Sequence, residues 1–197
     1  MSDSYDFIEA AGTSDDAPVI FLLHGTGGDE TQFFDLAADL APGARRIGVR
    51  GDVSEGGALR YFRRKAEGVY DMSDLARATA KLSAFFSNHR GTAREVWALG
   101  YSNGANILAS LLFAGAAVDR TVLMHPLIPF TPPPQPSLSG RKVLLTAGER
   151  DPIAPFEMSA ALACWFEEQG AAVSLVTHPG GHDLRREELL AARDFFA

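Results

Sequence analysis

Short runs of consecutive apolar residues alternate along this chain with longer stretches whose apolar residues recur every three or four positions. A run apolar on both sides suits a strand inside a parallel sheet, and a three-to-four repeat suits a helix laid against that sheet. Val19–Leu23 is such a run, ending at His24-Gly25. Thr31–Leu40 reads as a helix, with Phe33, Phe34, Ala37 and Leu40 on one side and Pro42-Gly43 as its stop. A short strand at Ile47–Val49 precedes a glycine-rich loop, Gly51–Gly57. Asp71–Asn88 is the helix with the clearest period, carried by Leu75, Ala78, Leu82, Phe85 and Phe86. Glu95–Leu99, Thr121–Met124, Val143–Leu145 and Val173–Val176 read as strands. Asn103–Phe113, Pro155–Gln169 and Leu184–Phe196 read as helices. This order predicts βαβ units and an α/β fold, a mostly parallel central sheet with helices on both faces. With 197 residues, no internal repeat and no linker, residues 1–197 are expected to form a single domain. Pro126–Gly140 holds six prolines and reads as a stiff loop lying over the C-terminal edge of the sheet.

Chemistry concentrates where strands meet helices. Gly100-Tyr101-Ser102-Asn103-Gly104 matches G-x-S-x-G, with the apolar strand Val96–Leu99 leading in and an apolar helix leading out. That context makes it a nucleophile elbow, a tight turn that exposes a serine hydroxyl at a helix N-terminus. A serine hydroxyl needs a base to remove its proton. Five histidines compete, and His182 wins on placement, in a loop (Gly180-Gly181-His182) between the last strand and the last helix. His24, His89 and His178 are set aside, and His125, at a strand end beside Pro126, reads as a supporting or substrate-facing residue. Asp151, after the strand Val143–Leu145 and before Pro152, is the carboxylate expected to orient the imidazole; Glu149 and Asp183 rank below it. The resulting chain order, Ser then Asp then His, is that of α/β-hydrolases. The backbone amides of Asn103 and Thr26, the latter in Gly25-Thr26-Gly27, are expected to form the oxyanion hole. The Gly-rich turn after His24 fits neither the dinucleotide fingerprint nor the phosphate-binding P-loop.

Charge and cysteine usage narrow the remaining classes. A formal net charge of -7 disfavours a nucleic-acid partner. The densest basic run, Arg60–Lys65, reads either as a solvated loop or as the rim of a substrate pocket. Cys164 is the only cysteine, so neither an intrachain disulfide nor a thiolate metal cage is available, and its place inside a helix suggests a core thiol. Met1–Asp6 is polar and acidic with no apolar signal region, and no stretch is long enough to span a bilayer, so a cytoplasmic protein is expected.

Taken together, these motifs resemble the phospholipase/carboxylesterase family of α/β-hydrolases, whose relatives include acyl-protein thioesterases. Four pieces look most similar to a bacterial subgroup of small hydrolases associated with hydroquinone and catechol stress. They are Leu23–Glu30, Gly100–Asn106, Gly148–Ile153 and Gly180–His182. Arg60-Tyr61-Phe62-Arg63-Arg64 and Glu67–Asp71 look similar to that subgroup too. The resemblance implies an α/β-hydrolase fold and hydrolysis of carboxylic esters of small or medium acyl groups, without metal or cofactor. It also implies that the Arg60–Arg64 segment borders the pocket, with Phe62 and Arg63 as substrate contacts. So short a chain leaves no room for a large lid domain. The expected partner is a small-molecule ester, met by a monomer or a homodimer. Thioester hydrolysis uses the same machinery, and a non-catalytic binding protein on the same fold is the alternative from another class; a role toward quinone-derived aromatics rests on the subgroup likeness alone.

Overall fold

The computed structural model describes residues 4–66 and 68–197. Residues 1–3 of the polar N-terminal stretch, and Glu67 of the loop segment, lie outside the described residues. In chain order the main elements are β1 (Phe7–Ala10), β2 (Val19–Leu23), α1 (Ala37–Leu40), β3 (Arg45–Val49), β4 (Val53–Glu55), β5 (Ala58–Arg60), β6 (Arg64–Ala66) and β7 (Val69–Tyr70). There follow α2 (Met72–His89), β8 (Val96–Tyr101), α3 (Asn103–Phe113), β9 (Arg120–Met124), β10 (Lys142–Gly148), α4 (Phe156–Glu168), β11 (Ala172–His178) and α5 (Arg186–Phe196).

Seven strands make one sheet in the order β1-β3-β2-β8-β9-β10-β11. All neighbours are parallel except β1, which runs antiparallel to β3 at the edge. All five residues of β2 are buried because both faces of the sheet are covered. Val19, Phe21 and Leu23 point into one apolar layer with α2, α3 and α4, whereas Ile20 and Leu22 point into the other with α1 and α5. Within the first layer Phe21 stacks on Phe86 of α2 with ring centroids 3.8 Å apart. After β2 the chain moves outward to β3, then returns across the sheet to β8 on the other side of β2. That reversal opens a crevice beyond the carboxyl ends of β2 and β8, the place where open α/β sheets bind ligands.

Four expectations need correction. The helix over Thr31–Leu40 shrinks to α1, because residues 30–36 form successive turns. The Asp29 carboxylate takes the Thr31 amide and the Gln32 side chain takes the Gly25 amide, and such local side-chain bonds compete with helical ones. The loop Gly51–Gly57 contains the hairpin β4–β5, turned by Gly56 and Gly57 at φ 57° and 91°, a conformation glycine adopts without a Cβ clash. Cys164 is exposed: α4 buries Ser159, Leu162, Ala163 and Phe166, and position 164 falls on its outer side. The proline-rich segment borders the sheet edge only at its start; from Gln135 it is tied to Phe113 and Gln169 beside the ends of α3 and α4. The architecture is an α/β-hydrolase fold, a central mixed sheet flanked by helices with no large lid.

Candidate active site

Ser102 sits between β8 and α3 with φ 50° and ψ -114°, and its amide donates to the Met124 carbonyl of β9. A non-glycine residue at positive φ costs about 1–3 kcal/mol, so the turn around it must be held firmly. Two glycines allow this by close approach. A Cβ on Gly100 would lie 2.5 Å from the Gly104 carbonyl oxygen, and one on Gly104 would lie 2.4 Å from that of Leu23. With both absent, α3 starts hard against the ends of β8 and β2 and the serine hydroxyl projects into the crevice.

Asp151 leaves β10 in a short turn before α4. Its Oδ1 accepts the amides of Ile153 (2.8 Å) and Ala154 (2.9 Å), which aims Oδ2 back over the sheet. His182 Nδ1 lies 2.6 Å from that Oδ2, and His182 Nε2 lies 2.9 Å from Ser102 Oγ. Because Nδ1 faces a carboxylate, it carries the ring proton and leaves the Nε2 lone pair to accept the serine hydroxyl. The loop bearing His182 is fixed by Tyr101, whose hydroxyl donates to the His182 carbonyl at 2.8 Å. Burial alone would raise the Asp151 carboxyl. The Ala154 amide, the imidazoles of His125 and His182 and the Ile153 amide more than offset it and hold the group below the usual carboxylate value. The sequence-derived trio is therefore joined by two hydrogen bonds, the arrangement of a Ser-His-Asp triad.

The second wall comes from the loop after β2. His24 is buried and accepts the Gly51 amide on Nε2 at 2.9 Å, so its Nδ1 donates to the Gly25 carbonyl; it holds the loop and is not a base. Burial lowers its imidazole below the ordinary value, which keeps it neutral in that role. Arg60 Nη1 donates to Thr26 Oγ1 at 2.8 Å, and the Asn103 side-chain oxygen accepts the Tyr61 amide at 2.8 Å. As the first residue of α3, Asn103 has a backbone N–H with no intrahelical partner. Thr26, Arg60, Arg64, Tyr70, Tyr101 and Leu127 line a cleft of about 260 Å³ that contains Ser102 and His182.

No family model matches the chain. MhqD of Bacillus subtilis strain 168, assigned as a hydrolase, is 40% identical over 190 residues, covering 94% of each chain. The chain belongs to the MhqD-like family of α/β-hydrolases and esterases. Among solved structures, Atu2452 of Agrobacterium tumefaciens, a protein of unknown function, is 51% identical with a TM-score of 0.91, over 98% of this chain and 96% of its own. A Bacillus cereus carboxylesterase is 36% identical with a TM-score of 0.92, over 99% and 94%. Family and triad together make this MhqD-like protein a serine-hydrolase, esterase-type enzyme.

Not every residue singled out in the sequence reaches the cleft of this MhqD-like hydrolase. Phe62 is fully buried beneath it, edge-on to Tyr70, and Arg63 is exposed, its amide donating to Asp74. Neither lines the cleft; Arg60 and Arg64 do, because the chain bends at Tyr61 and Phe62 and turns the Phe62 ring inward. The basic run is thus solvated only in part: Arg60, Tyr61 and Phe62 are buried, whereas Arg63 and Lys65 are exposed. His125 does border the cleft, although it is buried at 1% exposure and its ring bonds to Asp151. Sequence reasoning missed Tyr101 and Glu188 altogether. Tyr101 could have been suspected from its place inside the elbow, whereas nothing around Glu188 in a charged helix distinguishes it.

Proposed function

We propose that this enzyme hydrolyses carboxylic esters of small or medium acyl groups through an acyl-enzyme on Ser102. The reading rests above all on the continuous hydrogen-bonded path from Asp151 through His182 to Ser102, opening on a cleft of about 260 Å³. In the first half-reaction His182 Nε2 takes the hydroxyl proton as Ser102 Oγ bonds to the carbonyl carbon. The backbone amides of Thr26 and Asn103 receive the developing oxyanion, and each such donor is worth roughly 10²–10³ in turnover. His182 then gives its proton to the departing alkoxide, releasing the alcohol. Water, deprotonated by the same imidazole, attacks the acyl-enzyme, and the acid leaves as Ser102 regains its proton. The modest volume argues for short acyl chains, and Arg60 and Arg64, both paired with Glu55, form one polar wall.

Treatment with a fluorophosphonate followed by peptide mapping tests the nucleophile, with modification of Ser102 alone as the expected result. A folded protein that resists modification there would be a binding protein on this fold. Matched oxygen and thiol esters of one acyl group test the substrate class. The oxygen ester is expected to turn over at least as fast, and a thioester rate higher by a factor of ten or more would reverse the assignment.

A further inference from the structure

Beneath the triad lies a second charged layer that the reaction as described leaves unused. His125 immediately follows β9 with φ 51°; among the described residues only Ser102 shares a positive φ without being glycine. Its amide donates to the Thr146 carbonyl, and its ring is wedged between two carboxylates. Nδ1 lies 2.8 Å from Asp151 Oδ2, the same oxygen that receives His182, and Nε2 lies 2.9 Å from Glu188 Oε1. The latter approach is close in distance but off the line of an aligned hydrogen bond. All three side chains are completely buried.

We propose that His125 is a buried imidazolium that bridges Asp151 and Glu188, and that it is a positioning residue which tempers the charge Asp151 presents to His182 and so sets the pH range of turnover.

Proton counting carries the argument. A neutral imidazole has one N–H, so it would turn a lone pair toward one carboxylate at less than 3 Å, in full burial. Nor is Glu188 suited to be the proton holder. Its Oε1 accepts the Thr146 hydroxyl at 2.5 Å and its Oε2 accepts the Arg185 amide at 2.7 Å, both of which favour the ionised form. With both carboxylates ionised and no cation between them, two like charges would sit buried together, an arrangement proteins avoid. Burial pushes the His125 ring toward neutrality, but Glu188 and Asp151 outweigh that and raise it above the ordinary imidazole value. The other titratable neighbours do not supply the charge. His178 faces Glu188 Oε2 at 3.2 Å, and its Nδ1 is taken up as acceptor of the Gly180 amide. Tyr101 meets the His125 ring edge-on at 5.9 Å, and the His182 ring lies 5.1 Å away. Because Asp151 Oδ2 serves two imidazoles, the positive charge on one reduces the field felt by the other.

The test compares the pH dependence of kcat/KM on 4-nitrophenyl butyrate for the wild type, His125→Gln, and the double variant His125→Gln with Glu188→Gln. In His125→Gln the uncompensated carboxylates should move the acid limb upward by about one pH unit. The double variant, with the pair of charges removed together, should recover at least half of that shift. Loss of rate with an unmoved acid limb in folded His125→Gln overturns the proposal, since a packing role would lower turnover without moving the profile. The kinetic arm rests on the esterase reading; a second arm does not, and it needs no variant. In the wild type labelled with ¹⁵N-histidine, both ring nitrogens of His125 should carry protons at pH 7. A bare ring nitrogen on His125 at that pH overturns the proposal whatever the enzyme hydrolyses.

Discussion

Ser102 is held in a backbone conformation that a side chain resists, and its chemistry and its cost to stability can be separated by substitution. Ser102→Ala should lower ester turnover by at least about 10³-fold with the fold intact, since oxyanion donors and binding alone remain. Steady-state kinetics beside a far-ultraviolet circular dichroism spectrum checks this, and near-normal turnover in the folded variant would falsify the nucleophile assignment. Ser102→Gly should be equally inactive but more stable than Ser102→Ala by about 1 kcal/mol, because glycine enters positive φ freely. Urea unfolding of the two variants side by side reads that difference; equal midpoints would mean the turn holds no strain. Ser102, His182 and Asp151 were all legible because each combines a reactive residue type with a strand-end or loop position. The errors at Phe62 and Arg63 arose because likeness to a pocket-bordering segment says nothing about which side of that segment faces the pocket.

At the scale of elements, the proposed oxyanion hole depends on the distance between β2 and α3, because Thr26 follows one and Asn103 begins the other. Gly104→Ala puts two effects in opposition. Alanine favours a helix over glycine by about 1 kcal/mol, but the added Cβ would fall 2.4 Å from the Leu23 carbonyl oxygen and 2.6 Å from that of His24. Backbone cannot yield as a flexible side chain does, and overpacking of this kind costs about 1–3 kcal/mol or more. The clash should win. The variant should lose about 1–2 kcal/mol of stability by urea midpoint and react more slowly with a fluorophosphonate, as the two amides drift apart; a variant as stable and as reactive as the parent would show that this contact does not set the spacing. The strands of the parallel sheet were readable because burial on both faces writes a continuous apolar run. The edge strand β1 and the hairpins β4–β5 and β6–β7 were not, since four of these strands have only three residues or fewer and all are partly exposed.

Across the whole molecule, two apolar layers share one sheet, and removing a side chain from either should weaken both. Phe21→Ala, which vacates the fully buried stack against Phe86, should cost about 3–5 kcal/mol in denaturant unfolding. A single domain over the whole chain, which we propose, would show this as one cooperative transition moved to lower denaturant; two transitions would divide the layers. The buried charges beneath the triad give stability a pH dependence. His125 is raised in the folded state, so its contribution is complete below about pH 6.5 and fades as pH climbs through its folded value. Asp151 and Glu188 are lowered, so theirs is complete above about pH 4.5 and is lost as pH falls through their folded values. These three groups together favour a maximum between about pH 4.5 and 6.5, and His24, lowered by burial, weights it toward the upper end of that window. Urea midpoints across pH 3–9 measure it, and a curve still rising above pH 7 would contradict the signs assigned to these groups.

The sequence by itself determined the alternating architecture and the three residues of the triad, because periodicity, glycine-bracketed turns and strand-end placement are local properties of the chain. Only the tertiary structure decided what surrounds that triad. Which arginines face the cleft, that Cys164 lies outward, and that Asp151 shares one oxygen between two imidazoles all depend on side chains drawn from β9, α5 and distant loops. Such contacts are fixed by how layers pack across the sheet, and no local pattern records them.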